Sequence, residues 1–282
     1  MSEACDNDCG SCAQNCADRK APNDFRVHLN DQSRVGSVVA VVSGKGGVGK
    51  SLVTSLLAKG ATGRGLNAAI LDADITGPSI PRAFGVTGKA TGTGEYLLPR
   101  VSRDGVQIMS INMLLDSDTD PVVWRGPILA GTVKQFYTDV LWRDVDVMFV
   151  DLPPGTGDVP LTVFQSLPLD GIVVVTSPQE LVGMIVGKAV NMARMMQVPI
   201  LGLVENMAYF TCPDNGKTYH IFGKGKAAGV AIEYGIPLLG SIPIDPTIAD
   251  ACDAGRVEDL NGDWLAPALD VIAGIASAKK NA

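Results

Sequence analysis

From Ser37 onward the chain alternates short, unbroken apolar runs with longer stretches of mixed polarity. The runs are SVVAVVS (37–43), NAAILDAD (67–74), VQIMS (106–110), DVMFVD (146–151), GIVVVTS (171–177), PILGLVEN (199–206) and IPLLGSIP (236–243). They do not alternate apolar with polar positions, so each predicts a strand covered on both faces. Segments 50–63, 126–142 and 180–196 are long enough to cross over between parallel strands as helices. The pattern predicts an α/β fold, a mostly parallel sheet flanked by helices on both faces. The stretch 263–278 carries apolar positions at helical spacing, with basic residues only at Lys279 and Lys280. A helix docked on the core is expected there rather than one lying on a membrane. Residues 1–34 lack any such periodicity and are broken at Pro22, Asn23 and Asp24. The expected division is an arm and linker over 1–34 and a folded domain over 35–282.

Composition narrows the chemistry. With 282 residues, 46% of them hydrophobic and 19% charged, a large core can form. A net charge of −7 and an aromatic content of 5% argue against a nucleic-acid surface. No apolar run approaches the roughly 18 residues that span a bilayer, and the first residues lack the basic and apolar regions of a secretory leader. A cytoplasmic location without membrane attachment is the expectation. In that reducing compartment the four cysteines of the arm, Cys5, Cys9, Cys12 and Cys16, point to a metal rather than to disulfides.

Residues 44–51 read GKGGVGKS, directly after a predicted strand and before a predicted helix. This is the G-x-x-x-x-G-K-[ST] phosphate-binding loop in the setting the motif requires. Its backbone N–H groups, from Gly44, Lys45, Gly46, Gly47, Val48 and Gly49, can turn inward around phosphate oxygens, helped by the positive end of the following helix. Lys50 is expected on the β- and γ-phosphates and Ser51 on Mg²⁺. Asp151 closes the apolar run VMFVD, where a carboxylate can hold the hydrated Mg²⁺. Asp72 and Asp74 stand at another strand end. Asp74 is the candidate of the two for orienting the attacking water or a Mg²⁺-bound water, and Gly155 in LPPGTGD is the candidate γ-phosphate hinge.

Together, GKGGVGKS, LDADITGPSIPRAFG, WRGPI (124–128), DVMFVDLPPGTGDVPLT (146–162) and VENMAYFTC…IFGKGKA (204–227) resemble the Mrp/ApbC/NBP group of P-loop ATPases, over about residues 30–275. The resemblance implies an ATPase, of slow turnover, that binds a [4Fe-4S] cluster and transfers it to apo-proteins. It implies a homodimer in which Lys45, the extra lysine of the deviant loop, reaches the partner's phosphates as a catalytic residue beside Lys50 and Asp74. It also implies that Asn206 and the IPIDP segment (242–246) flank the adenine. One departure stands out. The family's second cysteine in CPxC is replaced, since the segment here reads Cys212-Pro213-Asp214-Asn215. Asparagine is a poor ligand for cluster iron. Cys5, Cys9, Cys12 and Cys16 are then the one complete four-thiolate set, fitting an iron–sulfur cluster, with a Cys₄ zinc site and a metal-free redox tail as the alternatives. Cys252 reads as a small core residue, and His28 and His220 as loop or strand histidines. The rival readings are a MinD- or partition-type positioning ATPase and a nitrogenase-reductase-like electron donor.

Overall fold

The computed structural model describes residues 26–75, 77, 79–115, 126–178 and 182–280. The arm cysteines Cys5, Cys9, Cys12 and Cys16 lie outside the described residues. In chain order the strands are β1 (Val35–Val42), β2 (Ala68–Asp72), β3 (Thr91–Gly92), β4 (Leu97–Leu98), β5 (Arg100–Val101), β6 (Gln107–Met109), β7 (Val145–Asp151), β8 (Gly171–Thr176), β9 (Ile200–Glu205), β10 (Phe210–Thr211), β11 (Thr218–Tyr219) and β12 (Leu238–Ser241). The helices are α1 (Lys50–Gly63), α2 (Ile80–Ala83), α3 (Gly126–Thr138), α4 (Asp158–Ser166), α5 (Val182–Met195), α6 (Ala227–Tyr234), α7 (Pro246–Asp253) and α8 (Ala266–Lys280).

Eight strands form one sheet in the order β12-β9-β8-β1-β7-β2-β6-β5. Every pairing in it is parallel except β5 with β6 at the edge. The unbroken apolar runs explain the interior: all six residues of β8 and all five of β2 are buried. A parallel sheet can keep such strands only beneath helices on both faces. Strand β1 is central, paired with β7 on one side and β8 on the other. The chain leaves β1 over β7 to reach β2, then returns and builds outward in the opposite direction through β8, β9 and β12. The carboxyl ends of β1, β7 and β2 therefore meet where the winding reverses, the usual ligand crevice of such sheets.

The expected strands are present, several of them shorter than their apolar runs. Strand β2 ends at Asp72, so Asp74 belongs to the loop after it. The helix expected over 126–142 stops at Thr138, and Val140 makes an isolated bridge to Leu97. The C-terminal helix α8 buries Ala268, Ile272 and Ala276 against the core, as its spacing predicted. Its last turn is pinned by Lys279 to Asp170 and by Lys280 to Asp146, each at 2.7 Å. Residues 27–34 lie against the domain: Val27 N–H donates to Ser166 O, and the Asn30 side chain donates to the carbonyls of Thr138 and Val140. Cys252, near the end of α7, is half-buried: it packs against the core and also borders a cavity. No described helix is long and apolar enough to cross a membrane.

Candidate functional site: a phosphate loop beside a cluster of carboxylates

The loop between β1 and α1 needs glycine at two places, at one of them for two reasons. Gly47 and Gly49 have φ of 79° and 82°, in the left-handed region that side chains disfavour. At Gly49 a Cβ would also collide with Nδ2 of Asn206. That carboxamide donates to Val48 O at 3.0 Å, and the Asn206 backbone N–H donates to Thr176 O at 2.8 Å. Asn206 thus ties the end of β9 and the end of β8 to the back of the loop. On the other flank, Gly155 N–H donates to Ser43 O at 2.8 Å, joining the segment after β7 to the loop's first residue. A cavity of about 270 Å³ lies over the loop, lined by Lys45, Gly46, Lys50, Ser51, Asp74 and Pro154 among others.

Charge converges beneath it. Lys50 Nζ lies 2.8 Å from Asp151 Oδ2 and 3.5 Å from Asp74 Oδ2, and Lys50 and Asp151 are both buried. Ser51 Oγ donates to the same Asp151 oxygen at 2.6 Å. Thr54, one turn further along α1, donates from Oγ1 to Asp151 Oδ1 at 2.7 Å. Asp151 is therefore held by three side chains from the start of α1, with Thr54 at i+3 from Ser51 and i+4 from Lys50. Asp72, paired in register with Asp151, is fully buried. Its Oδ2 accepts from Ser110 Oγ at 3.0 Å and its Oδ1 from Asp74 N–H at 3.2 Å. Burial raises the Asp72 carboxyl well above the ordinary range, and the nearby Asp151 charge raises it further.

The lysine, serine and aspartates singled out from sequence thus come together, with Lys45 on the cavity rim. Thr54, Ser110 and Asp72's bracing role were not anticipated. Thr54 carried a signal in its helical spacing from Lys50; Ser110 carried none, because it meets Asp72 only through the pairing of β6 with β2. Glu205 was missed as well. Its carboxyl is buried at the end of β9 with Oε1 lacking a hydrogen-bond partner. Burial raises its pKa, opposed by the Ala227 backbone N–H and by His220.

Asn206 also borders a second, apolar cavity. A cavity of about 640 Å³ is lined by Leu52, Asn206, Phe222, Pro243, Ile244 and Asp245, among others. At Cys212, the side chain of Asn215 accepts from Lys217 N–H at 2.9 Å. The residue that replaces the family's cysteine is committed to closing the turn. His220 Nδ1 lies 3.1 Å from Ala208 O, so this ring is engaged with backbone.

The family model described as NUBPL iron-transfer P-loop NTPase, of the ParA group, matches residues 34–275. The chain belongs to this family. Within it, the chain is 42% identical over 258 residues to a protein of Methanocaldococcus jannaschii named iron-sulfur cluster carrier protein, covering 89% of each. It is 47% identical over 251 residues to a protein of the same name from Saccharolobus solfataricus, covering 84% of this chain and 85% of that one. Among solved structures, a nucleotide-binding protein of Archaeoglobus fulgidus in complex with ADP superposes with a TM-score of 0.73 at 44% identity, over 82% of this chain and 90% of that one. The cell-division ATPase MinD of Pyrococcus furiosus superposes with a TM-score of 0.60 at 18% identity, over 86% of this chain and 99% of that one, a likeness of fold alone. The family read from GKGGVGKS and DLPPGTGD is borne out, and so is the fold class.

Proposed function

We propose that this chain binds ATP and an iron–sulfur cluster and delivers the cluster to apo-proteins, hydrolysing the nucleotide slowly as it does so. The observation that carries the reading is the intact Lys50–Asp151–Ser51 constellation beneath a phosphate-sized cavity, in a chain of an iron-transfer family. The relatives named as cluster carriers, and the ADP in the Archaeoglobus fulgidus protein, support the two ligands.

The site is built for phosphoryl transfer by positioning and charge. Backbone N–H groups of 44–49 hold the phosphate oxygens, and Lys50 neutralises the charge that grows between the β- and γ-phosphates. Ser51 Oγ and Asp151 Oδ2, 2.6 Å apart, are the hard oxygen donors that suit Mg²⁺, which supplies further neutralisation when bound. Asp74, in the loop after β2, orients the attacking water. The adenine occupies the cavity by Asn206 and Pro243–Asp245. Lys45 of each protomer reaches its partner's phosphates, so ATP promotes a homodimer and hydrolysis releases it. Lys45→Ala is then expected to bind ATP within a few-fold of wild type and to lose both dimerisation and most turnover. Size-exclusion chromatography with ATP and a phosphate-release assay check this.

The cluster is cargo. With Asn215 in the turn, the hairpin offers one thiolate per protomer at Cys212, and Cys5, Cys9, Cys12 and Cys16 supply the four-thiolate set. The arm over 1–34 is its holder and the domain over 35–282 the motor, in the cytoplasm, with apo iron–sulfur proteins as clients. Anaerobic reconstitution with iron and sulfide, read by absorbance and EPR, tests this on the intact chain and on Cys9→Ala/Cys12→Ala. The chromophore is expected in the first and absent in the second. Uptake of zinc without an iron–sulfide chromophore would overturn the carrier reading.

A further inference from the structure

The segment after Asn206 is a hairpin with empty space on both flanks of its root. Strands β10 and β11 pair over two residues each, and every residue from Pro213 to Lys226 is exposed. Its attachment to the domain is narrow: Ala208 N–H donates to Ile242 O at 2.9 Å, and Tyr209 O accepts from Ile244 N–H at 2.6 Å. On one flank Met207, Phe210, Ile221 and Phe222 form a wall of the 640 Å³ cavity that also holds Leu52 and Cys252. On the other, Phe210 borders a second cavity, of about 610 Å³, with Tyr209, Pro213 and Trp264. Both ends of the hairpin sit in left-handed backbone, Met207 at φ 57° and Gly223 at φ 83°. Methionine is disfavoured there, a strain that marks a segment held by its surroundings. Glu205 and Asn206 clamp the two sides of this region, since the Glu205 carboxylate accepts from Ala227 N–H beyond the hairpin and Asn206 donates to the phosphate loop.

Ile221 and Phe222 are more than half exposed although they face an apolar cavity. A flat aromatic group entering that cavity would stack on Phe222 and bury both side chains, binding the closed hairpin better than an open one. A ligand shifts a conformational equilibrium by that difference in affinity and by nothing else. We propose that the hairpin carrying Cys212 is a lid on the base cavity, so that the base of a bound adenine nucleotide draws it shut and withdraws the Cys212 thiol from solvent. The inference rests on the reading of this cavity as the base site. It gives the nucleotide a mechanical route to the Cys212 thiol within one protomer. The phosphates alone do not use this route.

Cysteine alkylation separates the two claims, because Cys252 lines the cavity itself and Cys212 sits on the lid. The reduced, cluster-free full chain is treated with iodoacetamide, and labelling is followed by peptide-resolved mass spectrometry without ligand, with ATP, with ADP and with tripolyphosphate. ATP and ADP are expected to protect Cys252 and to slow Cys212 labelling about fivefold or more, the low end of ordinary coupling. Tripolyphosphate is expected to change neither. Phe222→Ala removes the stacking face and should weaken ATP binding; with ATP raised until Cys252 is again protected, the Cys212 response should still be lost. Protection of Cys252 with no change at Cys212, or an equal slowing by tripolyphosphate, overturns the lid while leaving the base site standing. Saturating ATP that protects neither cysteine overturns the base site and the lid together.

Discussion

Replacing Thr54 by valine removes one hydroxyl, keeps the shape of the side chain, and leaves every residue chosen from the motif in place. Thr54 is fully buried, and its Oγ1 donates to Asp151 Oδ1 at 2.7 Å while lying 3.1 Å from Lys50 O. Asp151 is fully buried as well. Its other oxygen already receives Lys50 and Ser51, so the valine leaves Oδ1 without its side-chain donor. A hydrogen bond to a charged group contributes about 1.5–3 kcal/mol, and a buried acceptor stripped of its donor forfeits that and its hydration. For a domain of this size each kcal/mol moves Tm by about 2–4 °C, so Thr54→Val should melt ~3–12 °C lower. The matched control is Thr132→Val, where the hydroxyl bonds only the carbonyl one turn back, Ile128 O. That change should move Tm by less than about 2 °C, as substitutions outside such networks do. Calorimetry or thermal unfolding by circular dichroism, without nucleotide, reads both. Equal melting of Thr54→Val and wild type would refute the claim that Asp151 is held by three donors in the unliganded protein.

Two further outcomes follow from the same geometry. Gly49→Ala places a methyl group against Asn206 in left-handed backbone; ATP affinity measured by calorimetry should drop at least about tenfold, given ~1–2 kcal/mol for the conformation alone. Asp72 has a folded pKa raised above its unfolded value near 3.8, so the native state binds the extra proton. Its contribution to stability is complete below that unfolded value and is lost as pH rises through the folded pKa. Asp72→Asn, which mimics the protonated acid, should melt higher than wild type at neutral pH, the gap closing toward acid; a pH series of Tm values with a constant gap would contradict this.

The strands were legible because a sheet buried on both faces writes itself as unbroken apolar runs, and VVAVV and IVVV need no partner to be recognised. The phosphate loop was legible because its glycines answer local backbone needs within eight residues. Contacts made across the sheet were not. Ser110 reaches Asp72 only after β6 has paired with β2, and Glu205 reaches Ala227 only after the hairpin between them has folded back. The hairpin at 210–219 escaped notice for another reason: its strands are two residues long and largely exposed, so no burial pattern marks them. Strand ends were blurred where polar residues continue an apolar run, as at Asp74, whose N–H is turned back onto Asp72 instead of extending β2.

The central place of β1 has a consequence for how the molecule is made. Its neighbours β7 and β8 lie more than a hundred residues further along, so the first strand of the sheet waits for both. At about 5–20 residues per second of synthesis, on the order of 10 s passes before VVAVV can be covered on either edge. Over that interval it is a bare, uncharged β-former of the kind that seeds aggregation. The nucleotide loop, whose shape depends on Asn206, is completed later still. This protein should therefore need chaperone protection early in its synthesis, and ATP can stabilise it only once the chain has grown past β9.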